Sequence, residues 1–453
     1  MRAIAQYLER KGFCCVDSSY YDKIDLWVLW YAGLVPAFHN YRQYNGKRKI
    51  RRTRKTLGMA KTIAEDWANL ALNEKVGITV AEKSAEKRIW EVLDFNKFRV
   101  RGNQLLEEAF ALGTGAFVEH MDGSNIKIDY IRAGMIYPLS WDNGSILECA
   151  FASEQSVKGK KQVYLNIHRL DRSNKYIIEN HLFHREGNIL TEIDLPEGVQ
   201  EEIKTDSSLP RFQIVRPNLA NNFAPDCPMG ISVYANAIDQ LEGLDLVYDS
   251  YCNEFRLGKK RITVPMPMAR IMMEDDGTIT PMFDDNDTEF YALPSIDGVE
   301  NKIQEHNMTI RHESHEAGIQ TALNLLSFKC GMGKDRFNFQ DGQVKTATEV
   351  ISEKSDLYQS LKKHELLLAD ALIGLTRTIA DMLDFDSGEV TVNFDDSIIS
   401  DSGSEQQKDL QLVSSGIMAK WEYRVKWMGE DEQTARRRVE DASGTYEGLN
   451  FYA

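Results

Sequence analysis

The densest group of side chains able to hold a metal is His312-Glu313-Ser314-His315-Glu316. A zinc hydrolase of the HExxH kind needs two histidines four residues apart on one helix face, with glutamate directly after the first. Here the step is three and no third ligand is evident. The group reads as solvated helix surface, with a pH-sensitive subunit contact as the alternative. Gly331-Met332-Gly333-Lys334 looks like a phosphate turn, but a P-loop needs a second glycine five residues before its Gly-Lys pair and a Ser or Thr after it, and neither is present. No GxSxG nucleophile elbow occurs. The acids Glu274, Asp275, Asp276, Asp284, Asp285 and Asp287 could attract a cation but lack the spacing of a calcium loop. They read as a solvated acidic face, or as a docking surface for a basic partner. No catalytic residue, metal site or cofactor is assigned.

The totals narrow the classes further. Acidic residues outnumber Lys and Arg by 69 to 54, for a net charge of −15. Phosphate contacts dominate nucleic-acid affinity, so a chain this acidic is a poor repressor or clamp-like nuclease, although DNA could slide past it. The six cysteines include no CxxC pair, and Cys14 and Cys15 are adjacent, which suits reduced cytosolic thiols. The opening MRAIAQYLERKGF is charged and amphipathic, unlike a signal peptide. No run approaches the ~20 apolar residues that span a bilayer, so no membrane partner is expected. The 453 residues are enough for two to four packed units.

Periodicity gives the elements that must carry these residues. Residues 1 to about 45 read as helix followed by an aromatic-rich stretch from Tyr21 to Tyr44. A basic run follows: Lys47, Arg48, Lys49, Arg51, Arg52, Arg54 and Lys55. It reads as a solvated loop, or as a contact with a neighbouring acidic subunit or with DNA. Helices are predicted over 57–73 and 99–112, the second ending at Gly113-Thr114-Gly115. From Ala116 to about Val215, alternating segments such as FVEH, IKIDYI, VYLNIHRL and YIIENHLF predict antiparallel strands. The fold class is therefore α+β.

After Pro225–Gly230 a single helix is predicted from Ile231 to Leu257, roughly 40 Å long. Its apolar face carries Leu241, Leu244 and Val247, and its opposite face Asp239, Glu242, Asp245 and Asp249. Residues 262–300 read as a small α/β or β insert, with nine acids and no Lys or Arg between Ile271 and Glu300. A helix over 309–326 follows, then a long loop over 330–345. Thr346 and Glu349 form a capping-box pattern that opens a helix reaching about Leu383. A short strand, VTVNF, and a helical unit over about 404–441 close the chain.

Five collinear stretches resemble the portal proteins of long-tailed double-stranded-DNA bacteriophages. They are LGMAKTIAEDWANLALNEKV (57–76), NQLLEEAFALGTGAFV (103–118), PMGISVYANAIDQLEGLDLVYDSYCNEFRLGKKRI (228–262), KTATEVISEKSDLYQSLKKHELLLADAL (345–372), and VNFDDSIISD (392–401) with SGIMAKWEYRVKWMGEDEQTA (415–435). The resemblance implies a portal fold: an α+β wing over 1–228, a first stem helix over 229–258, a clip over 259–305 and a second stem helix over 306–329. The wing resumes over 330–399, with a tunnel loop over 330–345 and the long helix over 346–383, and a helical crown covers 400–453.

The same resemblance implies a ring of about twelve copies at one capsid vertex, closed by heterologous contacts. DNA would pass through it during packaging and ejection. Asp239, Glu242, Asp245 and Asp249 would line the channel wall, and an acidic bore lets DNA slide. Lys334, Arg336, Phe337, Asn338, Gln340 and Lys345 would touch DNA from the tunnel loop. The clip acids Glu274, Asp275, Asp276, Asp284, Asp285 and Asp287 would dock the terminase large subunit, then a head-completion or adaptor protein. Major capsid and scaffold proteins would be further partners, in the host cytoplasm during assembly and in the virion afterwards. The chain would not be an enzyme. Two rival classes remain: a metal-dependent nuclease or phosphodiesterase built on His312 and His315, and a non-viral scaffolding protein.

Overall fold

The structure is a computed structural model that describes residues 2–44, 48–73, 75–265, 272–273, 279–280, 290–293, 303–338, 347–394 and 402–444. Two compact units emerge: Met1–Glu74 with Ile78–Val392, and Lys75–Gly77 with Asn393–Ala453.

The larger unit begins with α1 (Arg2–Arg10), α2 (Ser18–Tyr31) and the single turn α3 (Pro36–His39). The helical reading of 1–45 thus breaks, at Gly12 with φ +91° and at Pro36, which opens its own turn. Asp17 caps α2 by accepting from the Ser19 N–H at 2.7 Å. The aromatic stretch packs inward. Tyr20, Tyr21, Trp27 and Trp30 are buried, and the Tyr20 and Tyr21 hydroxyls donate to the carbonyls of Gly230 and Ile136. The basic run is not a loop: β1 (Asn40–Tyr44) and β2 (Lys49–Thr53) pair antiparallel as a ribbon. Next come α4 (Met59–Ala71), β3 (Gly77–Val80), α5 (Lys83–Phe95) and α6 (Phe98–Leu112). The sequence reading missed α5, whose buried face is only Ala85, Ile89 and Leu93.

The alternating region forms two antiparallel sheets. β4 (Gly115–Asp122) and β5 (Asn125–Arg132) are followed by β6 (Ile136–Asp142), β7 (Ser145–Val157), β8 (Lys160–Leu170), β9 (Tyr176–Glu186), β10 (Ile189–Ile193), β11 (Glu202–Lys204) and β12 (Phe212–Val215). One sheet has the order β12-β4-β5; the other runs β10-β9-β8-β7-β6, with β11 also on β9. The core between them gathers Ala116, Val118, Ile136, Cys149, Phe151, Tyr176 and Phe212. β4 has five consecutive buried residues, so it is covered on both faces.

The helix expected from Ile231 starts instead at Ile238: α7 (Ile238–Leu257) has 20 residues, about 30 Å. Residues 230–234 are held elsewhere. Gly230 and Gly113 meet back to back, and a Cβ on Gly113 would lie 2.2 Å from the Gly230 oxygen. The Val233 N–H donates to the Phe110 carbonyl, so this stretch bonds to α6's end rather than to itself. Then come β13 (Arg261–Pro265), β14 (Met272–Met273), β15 (Ile279–Thr280), β16 (Phe290–Leu293) and β17 (Gln304–His306). β13 lies between β16, parallel to it, and β17, antiparallel to it, so the insert carries β structure as read. α8 (His312–Lys329) returns beside α7. α9 (Ala347–Met382), of 36 residues, buries Leu361, Leu368, Leu372, Leu375 and Ile379. It packs on α4, α5 and β12, and β18 (Val390–Asn393) then pairs with β3. The cap expected at Thr346 lies outside the described residues.

The smaller unit holds α10 (Ser402–Ser414), α11 (Lys420–Met428) and α12 (Glu432–Gly444). Asp409 accepts from Lys426 and from the Trp427 indole, and Glu430 accepts from Arg424 and Arg438. Those carboxylates join α10 to α11 and α11 to α12.

Candidate functional site

The helix pair α7–α8 is antiparallel, and its contacts fix the register. Val247 packs against Gly318, where a Cβ would sit 3.4 Å from the Val247 methyl. One helical turn on, the Tyr251 ring meets His315 edge-on, and next Glu254 takes a two-pronged bond from Arg311 at 3.0 and 2.9 Å. Arg311 holds the Glu254 carboxyl down at about 2, and His315 approaches it to 3.6 Å. His315 of the metal-like group is therefore engaged with Glu254 and Tyr251, while His312 is exposed. Among the described residues no three His, Cys, Asp or Glu side chains gather as metal ligands.

The four carboxylates expected on one free face of α7 divide. Asp239 is exposed and Glu242 half-buried, but Asp245 and Asp249 are 4% and 8% exposed. This corrects their reading as open-surface groups. The extended segment Arg54–Gly58 lies across them: Asp249 accepts from the Lys55 N–H at 3.0 Å and Asp245 from the Leu57 N–H at 2.8 Å. The fit is geometric. Two residues of extended chain advance about 6.6 Å and four of helix about 6 Å, so alternate N–H groups meet successive carboxylates on one face. The other Asp245 oxygen accepts from the fully buried His39 Nε2 at 3.0 Å, and the Val35 N–H donates to His39 Nδ1.

The stretch after α8 is anchored over its described part. The Trp67 indole N–H donates to the Cys330 carbonyl at 3.2 Å, and Met332 is buried. Gly331 and Gly333 have φ near +80°, conformations that favour glycine. Arg336 forms a two-pronged pair with Asp66 of α4, both bonds at 2.7 Å, and the Phe337 carbonyl accepts from Gln320. Arg336 is thus committed within the chain and is not a spare cation. Lys334 and Asn338 are exposed, and Lys334 has no ion-pair partner among the described residues. Gln340, Lys345 and the clip acids Glu274, Asp275, Asp276, Asp284, Asp285 and Asp287 lie outside the described residues.

The sequence reading missed three groups. Asp66 and Gln320 hold the 330–338 stretch, and His39 braces Asp245. Each is a single polar residue whose partner lies in another element or loop, more than 200 residues away for Asp66 and His39, so periodicity carries no signal of it.

The chain thus has an α+β body that clasps an antiparallel helix pair. The family model described as phage portal protein, SPP1 Gp6-like, matches residues 17–440. That is nearly the whole chain, and the chain belongs to this family. No curated protein matches it. Its function is that of a portal protein: a component of the bacteriophage capsid vertex used in genome packaging. The family is structural rather than enzymatic, with DNA and capsid and packaging proteins as its partners. No helix among the described residues is long and apolar enough to cross a membrane.

Proposed function

We propose that copies of this chain close into a ring in which α7 and α8 stand side by side around a bore, as the stem. The observation that carries this is a set of large apolar side chains left exposed on the pair. Leu246 and Phe255 on α7 and Leu325 and Phe328 on α8 are 49%, 45%, 57% and 60% exposed. Nine residues apart, Leu246 and Phe255 lie on opposite faces of α7, so large apolar side chains stand exposed on more than one side of the pair, where a neighbour on each flank would cover them. A lone subunit leaves these in water; a neighbour brought up by heterologous contact covers them, and repeating that contact closes a ring.

On this reading residues 1–228 and 330–399 form the wing, 229–258 and 306–329 the stem, 259–305 the clip and 400–453 the crown. The clip, with its acids Glu274 to Asp287, receives the terminase large subunit during packaging and a head-completion or adaptor protein afterwards. Scaffold and major capsid proteins meet the outer surface in the host cytoplasm, before the ring is fixed in the virion. The stretch 330–345 faces the bore and Lys334 is its exposed cation, while Asp239 and Glu242 give the wall its repulsive charge.

Negative-stain imaging of the purified chain tests this directly. Rings of about twelve copies with a central hole are the expected result. A monodisperse monomer at every concentration, with scaffold protein present as well, would overturn it.

A further inference from the structure

The β1–β2 ribbon belongs to none of the sites above. Between Asn40 and Ala64 the chain has nine Lys and Arg residues and no acid, within a molecule of net charge −15. Pairing sorts these charges. Asn40 faces Thr53, Arg42 faces Arg51 and Tyr44 faces Lys49, and all six share one ribbon face and are exposed. Tyr41, Ile50 and Arg52 on the other face are half-buried. The base is fixed: Arg54 stacks on the Phe38 and Tyr41 rings, and the next residue's N–H is held by Asp249. The cations are thus presented outward from a mounted ribbon. Like charges directly opposite on a sheet destabilise it, and among the described residues Arg42, Lys49 and Arg51 have no ion-pair partner. The face is complete only with an anionic partner.

The same unit carries the matching surface. Residues 192–206 hold six acids and one lysine, along the sheet edge where β10 and β11 both pair with β9. Glu192, Glu202 and Asp206 are taken by His181, Arg169 and Lys175. Asp194, Glu197 and Glu201 are exposed and have no side-chain partner among the described residues. Glu197 stands at the tip of a tight turn, closed by the Val199 N–H on the Pro196 carbonyl with Gly198 at φ +91°. Three free cations on the ribbon and three free anions on the connection between β10 and β11 are therefore left over, and the cations pair with no acid among the described residues.

We propose that the outward face of the β1–β2 ribbon docks on the acidic 194–201 edge of a second copy of this chain. Two different patches of one chain make a heterologous contact, the kind that closes rings, so the inference rests on the ring reading and supplies one of its contacts. Duplex DNA is the weaker partner. Firm phosphate binding needs many neutralised contacts, and this ribbon offers three free cations on a strongly acidic molecule.

The test is charge reversal in the full chain, read by sedimentation and imaging at moderate salt. Arg42→Glu with Arg51→Glu, and separately Glu197→Lys with Glu201→Lys, should each raise the concentration needed for assembly roughly tenfold. All four together should restore it, because the complementarity is inverted rather than lost. Circular dichroism of each variant should match the parent, since all four sites are exposed. A fourfold variant no better than either pair, or a reversed ribbon that leaves assembly unchanged, overturns the proposal. Normal assembly with lowered retention of duplex DNA would assign the ribbon to phosphates instead and overturn it likewise. The ring reading fails separately: if the parent forms no rings, low-salt sedimentation still reads the contact. A salt-sensitive dimer abolished by the ribbon reversal then upholds the contact alone, and a monomer at all salts sinks both.

Discussion

Glu119 and His168 lie in the sheet core with nowhere to place a charge. Both are essentially unexposed, and among the described residues neither finds a hydrogen-bond partner in another residue's side chain. Burial pushes the Glu119 carboxyl well above its ordinary range, against the weaker pull of Arg211. Burial, helped by Arg211 and His120, drives the His168 imidazole down to about 3. The signs follow. The stability tied to neutral Glu119 is complete below the ordinary carboxyl value and drains as pH climbs toward its raised one. The stability tied to neutral His168 is complete above about 6.5 and drains as pH falls toward 3, at about 1.4 kcal/mol per unit in each case. His364, lowered to about 4 by burial and then by Lys363, adds to the acid limb. Melting curves taken across pH should therefore fall on both sides. Glu119→Gln should flatten the alkaline limb, and His168→Phe, seated between the Phe151 and Phe212 rings, the acid one. Parallel pH profiles for parent and variants would refute the assignment. None of this was legible in the sequence. FVEH reads as an alternating strand with Glu119 outward, and only the cover on both faces of β4 buries it.

At the scale of elements, the sequence carried the helices and strands that bury a regular stripe. α4, α6, α8 and α9 and the strands β4, β5, β8 and β9 fall where periodicity put them. Those set by distant backbone did not. The ribbon β1–β2 alternates weakly because both its faces are largely polar. α7 starts late because the Gly113–Gly230 approach holds the chain before it. The face of α7 that turns inward is decided by the strap 54–58, an irregular stretch with no pattern of its own. That strap has a measurable consequence. Asp245→Ala leaves the Leu57 N–H and the His39 ring N–H buried without acceptors. Each such group costs about 1–3 kcal/mol, so a loss of roughly 2–6 kcal/mol in urea unfolding is expected, with an unchanged denaturant slope. Asp245→Asn keeps an acceptor for one of the two and should lose less. Trypsin should cut sooner at Arg54 and Lys55 in the Ala variant. A loss below about 0.5 kcal/mol, the range of ordinary surface changes, would mean the strap is not held this way.

For the whole molecule, net charge and segment order were open to reading from the start, because both are sums along the chain. Contacts between copies were not, since one sequence does not say which exposed face a neighbour covers. The division of the α7 carboxylates sharpens what remains. With Asp245 and Asp249 spent on the strap, only Asp239 and Glu242 of that face are left to set the charge of a bore. Replacing both by lysine changes each subunit by four charges, which over about twelve copies reverses the sign of a narrow belt of wall. If they face the bore, assembled Asp239→Lys/Glu242→Lys rings should hold linear duplex DNA that the parent lets slip. That binding should weaken steeply with salt, because every phosphate neutralised releases counterions. Filter retention of labelled duplex across a salt series reads both effects. Binding that stays as weak and as flat in salt as the parent's, in rings of normal appearance, would turn this face of α7 away from the DNA path and leave the wall to other residues of the pair.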